Sequence, residues 1–348
     1  MLERVDAMKT LPVFDLVDRR GRPLRDLRVS VTDRCNFRCP YCMPRAVYDS
    51  SRRYLPRAEI LSFEEIARTV AVLREMGLRK VRLTGGEPLL RAELPKLVRM
   101  LADLGEDLDL ALTTNGSLLE RHARALADAG LRRVTVSLDA LSPDVFRAMS
   151  DTDVPVDQVL SGIDAALAAG LSPVKVNAVV RRGVNEAEIP ALARRFRETG
   201  VTVRFIEYMD VGVTNGWKRS EVVPSAEVVA SIDREFPLEP VSEGRGGAVA
   251  ERWRYRDGGG EIGVISSVTA PFCGDCSRAR LSADGHLYTC LFAARGTDLR
   301  SALRSSPKDD APLRALLRET WEGREDRYSE LRSEERRSPR VEMSYIGG

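Results

Sequence analysis

The stretch Arg28-Val29-Ser30-Val31-Thr32-Asp33-Arg34-Cys35-Asn36-Phe37-Arg38-Cys39-Pro40-Tyr41-Cys42 decides how the chain is read. It opens on a short strand-forming run, Arg28–Val31, and passes directly into a loop whose cysteines are spaced C-x3-C-x2-C. Working outward, further runs of apolar or β-branched residues bounded by turn residues mark strands at Lys80–Thr84, Asp109–Thr113, Arg133–Leu138, Val174–Val180 and Val201–Glu207. Helical patterns fill the gaps. The clearest starts at Ser62 with Glu65 as its capping-box partner and puts Phe63, Ile66, Ala67, Val70 and Leu73 on one face. Leu118–Ala129 and Ile163–Ala169 read as further helices, each followed by a glycine that suits a C-cap.

Six strand–helix units in series predict an α/β protein with a parallel sheet and right-handed crossovers, a partial (βα)6 TIM-like barrel. The two further units of a complete barrel are not visible. After residue 210 the pattern turns Gly-rich and hairpin-like, as at Asp257–Ile265 and Ala283–Leu291. The expected division is an N-terminal extension (1–20), the barrel (21–220), a smaller C-terminal cluster-binding domain (221–320) and a tail (321–348). The tail is crowded with Arg and Glu, reads as a solvated helix or a mobile end, and closes on Gly347-Gly348.

The 348 residues are 43% hydrophobic and 30% charged, which suits a soluble globular protein. Fifty-four basic residues stand against 52 acidic ones, a net charge of +2, which argues against a nucleic-acid coat or a membrane-surface binder. An anionic ligand must then be held by a few placed cations. The opening residues mix charge into their apolar positions, and no apolar run is long enough to cross a bilayer. A cytoplasmic location follows as the expectation, and there six cysteines point to metal ligands or catalytic thiols, not disulfides.

Three thiolates within eight residues suit three corners of an iron–sulfur cubane. The fourth iron, left without a protein ligand, can be chelated by the amino and carboxylate groups of S-adenosylmethionine (SAM). The loop follows the first strand, where βα active sites lie. The second strand ends in Thr84-Gly85-Gly86-Glu87-Pro88, whose glycines allow close backbone approach and whose Glu87 can accept from an ammonium group. Thr113, Ser137, Lys175 and Met209 also fall at or near strand ends. A second triad, Cys273, Cys276 and Cys290, is spaced C-x2-C-x13-C, with Asp284-Gly285 as a hairpin signal that returns the third cysteine. Two readings stand for it: a second cluster with an open iron for substrate, or a Cys3His zinc site closed by His286. Arg278 and Arg280 alternate beside it, so on a strand both face one side and suit a triphosphate.

Taken together, the first triad after Thr32-Asp33-Arg34, the Gly-Gly-Glu-Pro turn, Leu112–Gly116, Val136–Ala140, Arg204–Met209, the second triad and Ile346-Gly347-Gly348 resemble the GTP 3′,8-cyclases of molybdenum-cofactor biosynthesis, radical SAM enzymes. The resemblance runs from about Phe14 to the end of the chain. It implies that Cys35, Cys39 and Cys42 hold one 4Fe–4S cluster, with Tyr41, Gly86, Ser137 and Met209 against SAM. It implies a second 4Fe–4S cluster on Cys273, Cys276 and Cys290, whose open iron meets guanine. Arg28, Arg82, Thr113, Lys175, Arg278 and Arg280 match GTP contacts, and the terminal Gly347 and Gly348 join Arg278 and Arg280 at the catalytic centre.

The implied chemistry is hydrogen abstraction from ribose C3′ by a 5′-deoxyadenosyl radical, attack on guanine C8, and completion by an electron and a proton. The implied partners are GTP, a cyclic pyranopterin monophosphate synthase downstream, an external electron donor and a second copy in a homodimer. Neither nucleic acid nor membrane is among them. Two rivals are set against this: a radical SAM enzyme acting on a peptide or another nucleotide, and a zinc-stabilised binding protein.

Overall fold

The computed structural model describes residues 15–241, 249–332 and 340–347. Its centre is one twelve-stranded sheet. Six strands come from the barrel segment: β1 (Asp26–Ser30), β2 (Lys80–Thr84), β3 (Asp109–Thr114), β4 (Arg133–Ser137), β5 (Lys175–Val180) and β6 (Thr202–Glu207). Six more follow: β7 (Leu238–Pro240), β8 (Glu251–Tyr255), β9 (Glu261–Ile265), β10 (Arg278–Leu281), β11 (His286–Tyr288) and β12 (Thr297–Asp298). The spatial order is β12-β11-β10-β1-β2-β3-β4-β5-β6-β9-β8-β7.

No further βα units appear among the described residues, and the barrel stays partial, but the later segment adds two parallel strands. β10 lies parallel to β1 and β9 parallel to β6, so eight strands run parallel although only six belong to βα repeats. The later segment therefore extends both edges of the barrel sheet. Its hairpins sit where the turn residues place them, as β8–β9 and β10–β11.

Helices α1 (Phe63–Glu75), α2 (Leu94–Ala102), α3 (Leu119–Asp128), α4 (Pro143–Ser150), α5 (Val156–Ala168), α6 (Ile189–Phe196) and α7 (Ser225–Asp233) follow the strands, and α8 (Leu299–Ser305), α9 (Ala311–Glu322) and α10 (Tyr328–Leu331) close the chain. At α1 both halves of the capping box form: Ser62 Oγ accepts from Glu65 N at 3.1 Å, and Glu65 Oε2 accepts from Ser62 N at 2.7 Å. Phe63, Ile66, Ala67, Val70 and Leu73 are all buried. Gly130 and Gly170 take the positive φ expected after α3 and α5.

The charged C-terminal stretch is not merely a solvated helix. Leu313, Leu317 and Trp321 of α9 are buried, Arg324 is paired with buried Asp18, and Arg332 and Arg340 both reach Asp210. Among the described residues no helix is long and apolar enough to cross a membrane.

Candidate active site

Alternation along the strands builds the site. On β2, Val81 and Leu83 are buried in the hydrophobic core, while Lys80, Arg82 and Thr84 line a central cavity of about 730 Å³. The same parity brings to that cavity Asp26 and Arg28 from β1, Arg133 and Ser137 from β4, Lys175 and Asn177 from β5, Arg204 from β6, and Arg278 and Arg280 from β10. Register aligns them: Arg28 lies level with Arg82 on one side and Arg280 on the other.

All six cysteines line this cavity. The first triad follows the carboxyl end of β1. The second flanks the amino end of β10, because Cys276 precedes that parallel strand and Cys290 follows the antiparallel β11. The triads therefore stand at opposite ends of the strands, separated by the length of β1, roughly 13 Å at about 3.3 Å per step. The carboxyl rim alone, where the sequence suggests the site, holds only half of it.

The first loop is tightly bent: Cys42 N and Met43 N both donate to Cys39 O at 2.9 Å. Arg38 pins it by donating to Cys35 O at 2.7 Å and to Tyr48 O at 2.9 Å. Tyr41 donates its hydroxyl to Asp139 Oδ2 at 2.7 Å. The Gly-Gly turn packs against this loop so closely that a Cβ on Gly86 would sit 2.2 Å from Arg34 O. Glu87 differs from expectation. It is buried, its oxygens accept from Leu89 N, Thr114 Oγ1 and Asn115 N, and it is not among the residues that line the cavity, so it ties β2 to β3 from behind the wall. Burial pushes its carboxyl up to about 7 despite those bonds.

In the second loop, Arg278 Nη2 approaches Cys276 Sγ at 3.5 Å. Burial alone would raise the Cys276 thiol, but Arg278 and Arg324 outweigh it and bring it down to about 6. Burial pushes Cys35 up to about 11 and Cys290 up to about 12, and it also raises Cys39 and Cys42. Such thiols ionise only against a strong cation, as ligation to iron provides.

Among the described residues no three His, Cys, Asp or Glu side chains converge on one point as a single ion requires. A cubane asks for one thiolate per iron, so the triads fit that group by their donor chemistry. His286 does not complete the second triad; its Nδ1 lies 2.9 Å from Asp284 Oδ2, away from the cavity wall.

Between the triads the wall is cationic. Arg82 donates to Thr113 Oγ1 at 3.0 Å and Thr135 Oγ1 at 3.1 Å, and Arg204 donates to Asn177 Oδ1 at 2.9 Å. Those partners are neutral. Lys80 has Asp26 at 2.8 Å, and Arg28 Nε is buried with no acceptor among the described residues. Desolvation first, and then the neighbouring cations, lower Lys175 to about 8 and Arg204 to about 9. Arg280 is brought down to about 10 by burial and by Arg278. Buried positive charge of this density calls for an anion.

Of the site residues singled out in the sequence, all but Gly348 lie at or beside this cavity. Tyr41, Gly86, Ser137, Met209, Arg28, Arg82, Thr113, Lys175, Arg278 and Arg280 line the cavity with the cysteines. Gly347 offers its carbonyl to the Arg280 guanidinium, and Gly348 lies outside the described residues. Sequence reasoning passed over Lys80, Arg133, Asn177, Arg204 and Asp139. The first four point inward like Arg82, and the alternating cations Lys80, Arg133 and Arg204 were the available signal.

Residues 29–196 match the family model of the radical SAM superfamily, and residues 201–330 match that of Molybdenum Cofactor Synthesis C. A protein of Acidothermus cellulolyticus named GTP 3′,8-cyclase is 56% identical, covering 95% of this chain and 98% of its own length. A protein of the same name from Xanthomonas campestris pv. campestris is 52% identical, covering 97% and 99%. The crystal structure of Streptococcus suis SuiB bound to S-adenosylmethionine shares the fold, with a TM-score of 0.59 at 17% identity over 88% of this chain and 68% of that one. With that extent of identity behind it, the chain belongs to the GTP 3′,8-cyclase family of the radical SAM superfamily.

Proposed function

We propose that this chain converts GTP to (8S)-3′,8-cyclo-7,8-dihydroguanosine 5′-triphosphate, an early step of molybdenum-cofactor biosynthesis. One observation carries the reading: a single cavity has three thiols at each end of its strands, and between them Arg82, Lys175 and Arg204 form a cationic wall with no acidic partner among the described residues. On this reading Cys35, Cys39 and Cys42 hold the SAM-binding cluster, and Cys273, Cys276 and Cys290 hold a second one. When bound, SAM and the clusters supply hydrogen-atom abstraction and electron transfer.

The chain's own residues do the rest. Arg28, Arg82, Thr113, Lys175, Arg278 and Arg280 bind and orient the nucleotide, so that binding energy from the triphosphate fixes the ribose. Tyr41, Gly86, Ser137 and Met209 form the wall against SAM, and Tyr41 is itself held by Asp139. The tail reaches the cavity through Met343, which lines it, and Gly347, whose carbonyl meets Arg280, while Ile346 anchors that end in the protein interior. Gly347 and Gly348 then join Arg278 and Arg280 at the reacting end. The same reading has the protein act in the cytoplasm as a homodimer, take electrons from an external donor and pass its product to a cyclic pyranopterin monophosphate synthase.

The test is anaerobic reconstitution with iron and sulfide counted, followed by SAM, reductant and either GTP or ATP. The cyclised nucleotide should form from GTP with deoxyadenosine in step. Zinc without iron, or equal deoxyadenosine formation with ATP, overturns the proposal.

A further inference from the structure

The second cysteine loop is gripped from behind by a buried ion triad drawn from both ends of the chain. Asp18, in the turn before β1, pairs with Arg22 Nε at 2.6 Å and Arg324 Nη1 at 3.1 Å, and all three side chains are at most 2% exposed. Asp18 Oδ1 also accepts from the backbone N–H of Arg20 and Arg22, both at 2.9 Å. The two guanidiniums then reach the loop itself. Arg22 Nη1 donates to Cys273 O at 2.7 Å and to Asp326 O at 2.8 Å, and Arg324 Nη1 donates to Cys276 O at 2.7 Å. Arg324 lies over the ring of Trp321, whose Nε1 donates to Arg22 O at 3.1 Å.

One group in this arrangement is left over. Arg22 Nη2 is buried and finds no acceptor among the described residues, although every other nitrogen of that guanidinium is bonded. Arg22 also lines the main cavity together with Cys273, Cys276 and Cys290. A buried N–H of a charged group left without an acceptor pays its full desolvation penalty, so its partner is expected among what the cavity holds.

We infer that Arg22 tunes the second cluster, donating from Nη2 to an acceptor on the group that Cys273, Cys276 and Cys290 carry, with Arg324 fixing it in place. This rests on the proposed two-cluster reading. One-electron reduction by an external reductant adds a negative charge to that group. A fixed donor and cation stabilise the reduced form more than the oxidised one, so they raise its potential.

The experiment uses the full chain with Cys35, Cys39 and Cys42 all changed to Ala, so that only the second triad can load. Iron and sulfide are counted, and the cluster is titrated with dithionite and followed by electron paramagnetic resonance. Absence of iron in this parent overturns the two-cluster reading, and the inference falls with it. If the parent loads, Arg22→Gln should shift the reduced-to-oxidised ratio at fixed potential about tenfold toward oxidised, which is about 59 mV for one electron. Arg22→Lys keeps the charge without the planar fork and should shift it less, in the same direction. Asp18→Asn, which removes the opposing charge, should shift it the other way.

A purely structural role predicts lower thermal stability and lower iron occupancy with the potential of the remaining cluster unchanged. That result overturns the inference. Should Arg22→Gln fail to load, Arg22→Lys decides: a potential equal to the parent's overturns it.

Discussion

Replacing Glu207 by Gln tests how the barrel is joined to the second cysteine loop. The Glu207 carboxylate, at the end of β6, is buried and takes five donors. Oε1 accepts from Ser225 N at 2.9 Å, Ser225 Oγ at 3.1 Å and Thr269 Oγ1 at 2.5 Å; Oε2 accepts from Val268 N at 2.8 Å and Thr269 N at 2.9 Å. An amide has one oxygen to offer. With its NH2 at the Oε2 position, two backbone N–H groups face a donor. With the NH2 at Oε1, both hydroxyls can turn and accept, and only Ser225 N loses its partner. The second placement is cheaper.

It still forfeits one charge-assisted hydrogen bond, about 1.5–3 kcal/mol, and weakens the remaining ones toward neutral strength. A total near 3 kcal/mol corresponds to roughly a hundredfold in a local opening equilibrium. Global unfolding of a cluster protein is not two-state, so native-state hydrogen exchange is the assay. Protection at Ser225, Val268 and Thr269 should fall about a hundredfold, a scale set by the same conversion. Iron at the second triad should fall while the first is retained, because residues 268–272 lead straight into Cys273. Protection within threefold of the parent, or equal iron loss at both triads, would refute the reasoning.

Gly86→Ala would place a Cβ 2.2 Å from Arg34 O and 3.0 Å from Cys35 N, so iron at the first triad should be lost and iron at the second kept, as metal analysis of single-triad variants will show. Lys175 and Lys80 are each lowered to about 8 from 10.5, chiefly by burial. The unfolded chain therefore holds those protons more tightly, and stability without ligand should rise with pH between about 8 and 10.5. A bound triphosphate favours the charged lysines, so binding should take up protons and weaken above about pH 8, measurable by calorimetry in buffers of different ionisation enthalpy. Ser62→Ala removes one half of the α1 capping box and should cost about 1 kcal/mol of stability with the cavity unaffected, read as a small fall in Tm at unchanged activity.

What was legible in the sequence followed from local rules. The six strands of the repeat, the Ser62 capping box and the Asp284-Gly285 turn depend on neighbouring residues, and each appears within a residue or two of where those rules put it. Partnership across the chain was not legible. Nothing local says that Arg278–Leu281 completes the sheet beside β1, or that Glu261–Ile265 does so beside β6, because parallel pairing has no turn to announce it. Glu87 differs for a related reason: its turn motif suggests a ligand contact, while in the fold it is buried behind the cavity wall and bonded to Thr114 and Asn115, 27 and 28 residues away. Asp18 and Arg324, 306 residues apart, meet only once the fold exists.

The inward residues of this barrel also explain why its hydrophobic core had to lie elsewhere. In a closed barrel the interior is packed with branched apolar side chains. Here those positions carry Arg28, Arg82, Arg204, Lys80 and Lys175, and the apolar packing falls on the opposite faces, where Leu27, Val29, Val81, Leu83, Val176 and Val203 meet the helices. Cations gathered in a low-dielectric space lose their hydration and, secondarily, repel one another; both costs destabilise the ligand-free protein and show in the lowered proton affinities of Lys175 and Arg204. An anion that neutralises them is bound by the folded state alone, so it returns stability in proportion to the logarithm of its concentration over Kd. Sulfate or inorganic triphosphate should therefore raise the Tm of the metal-free chain, and Arg204→Gln should raise the Tm without anion while shrinking the increment that anion adds. A loss of stability in that variant without anion would mean that Arg204 serves packing through Asn177, and that the positive wall is not held under strain for a ligand.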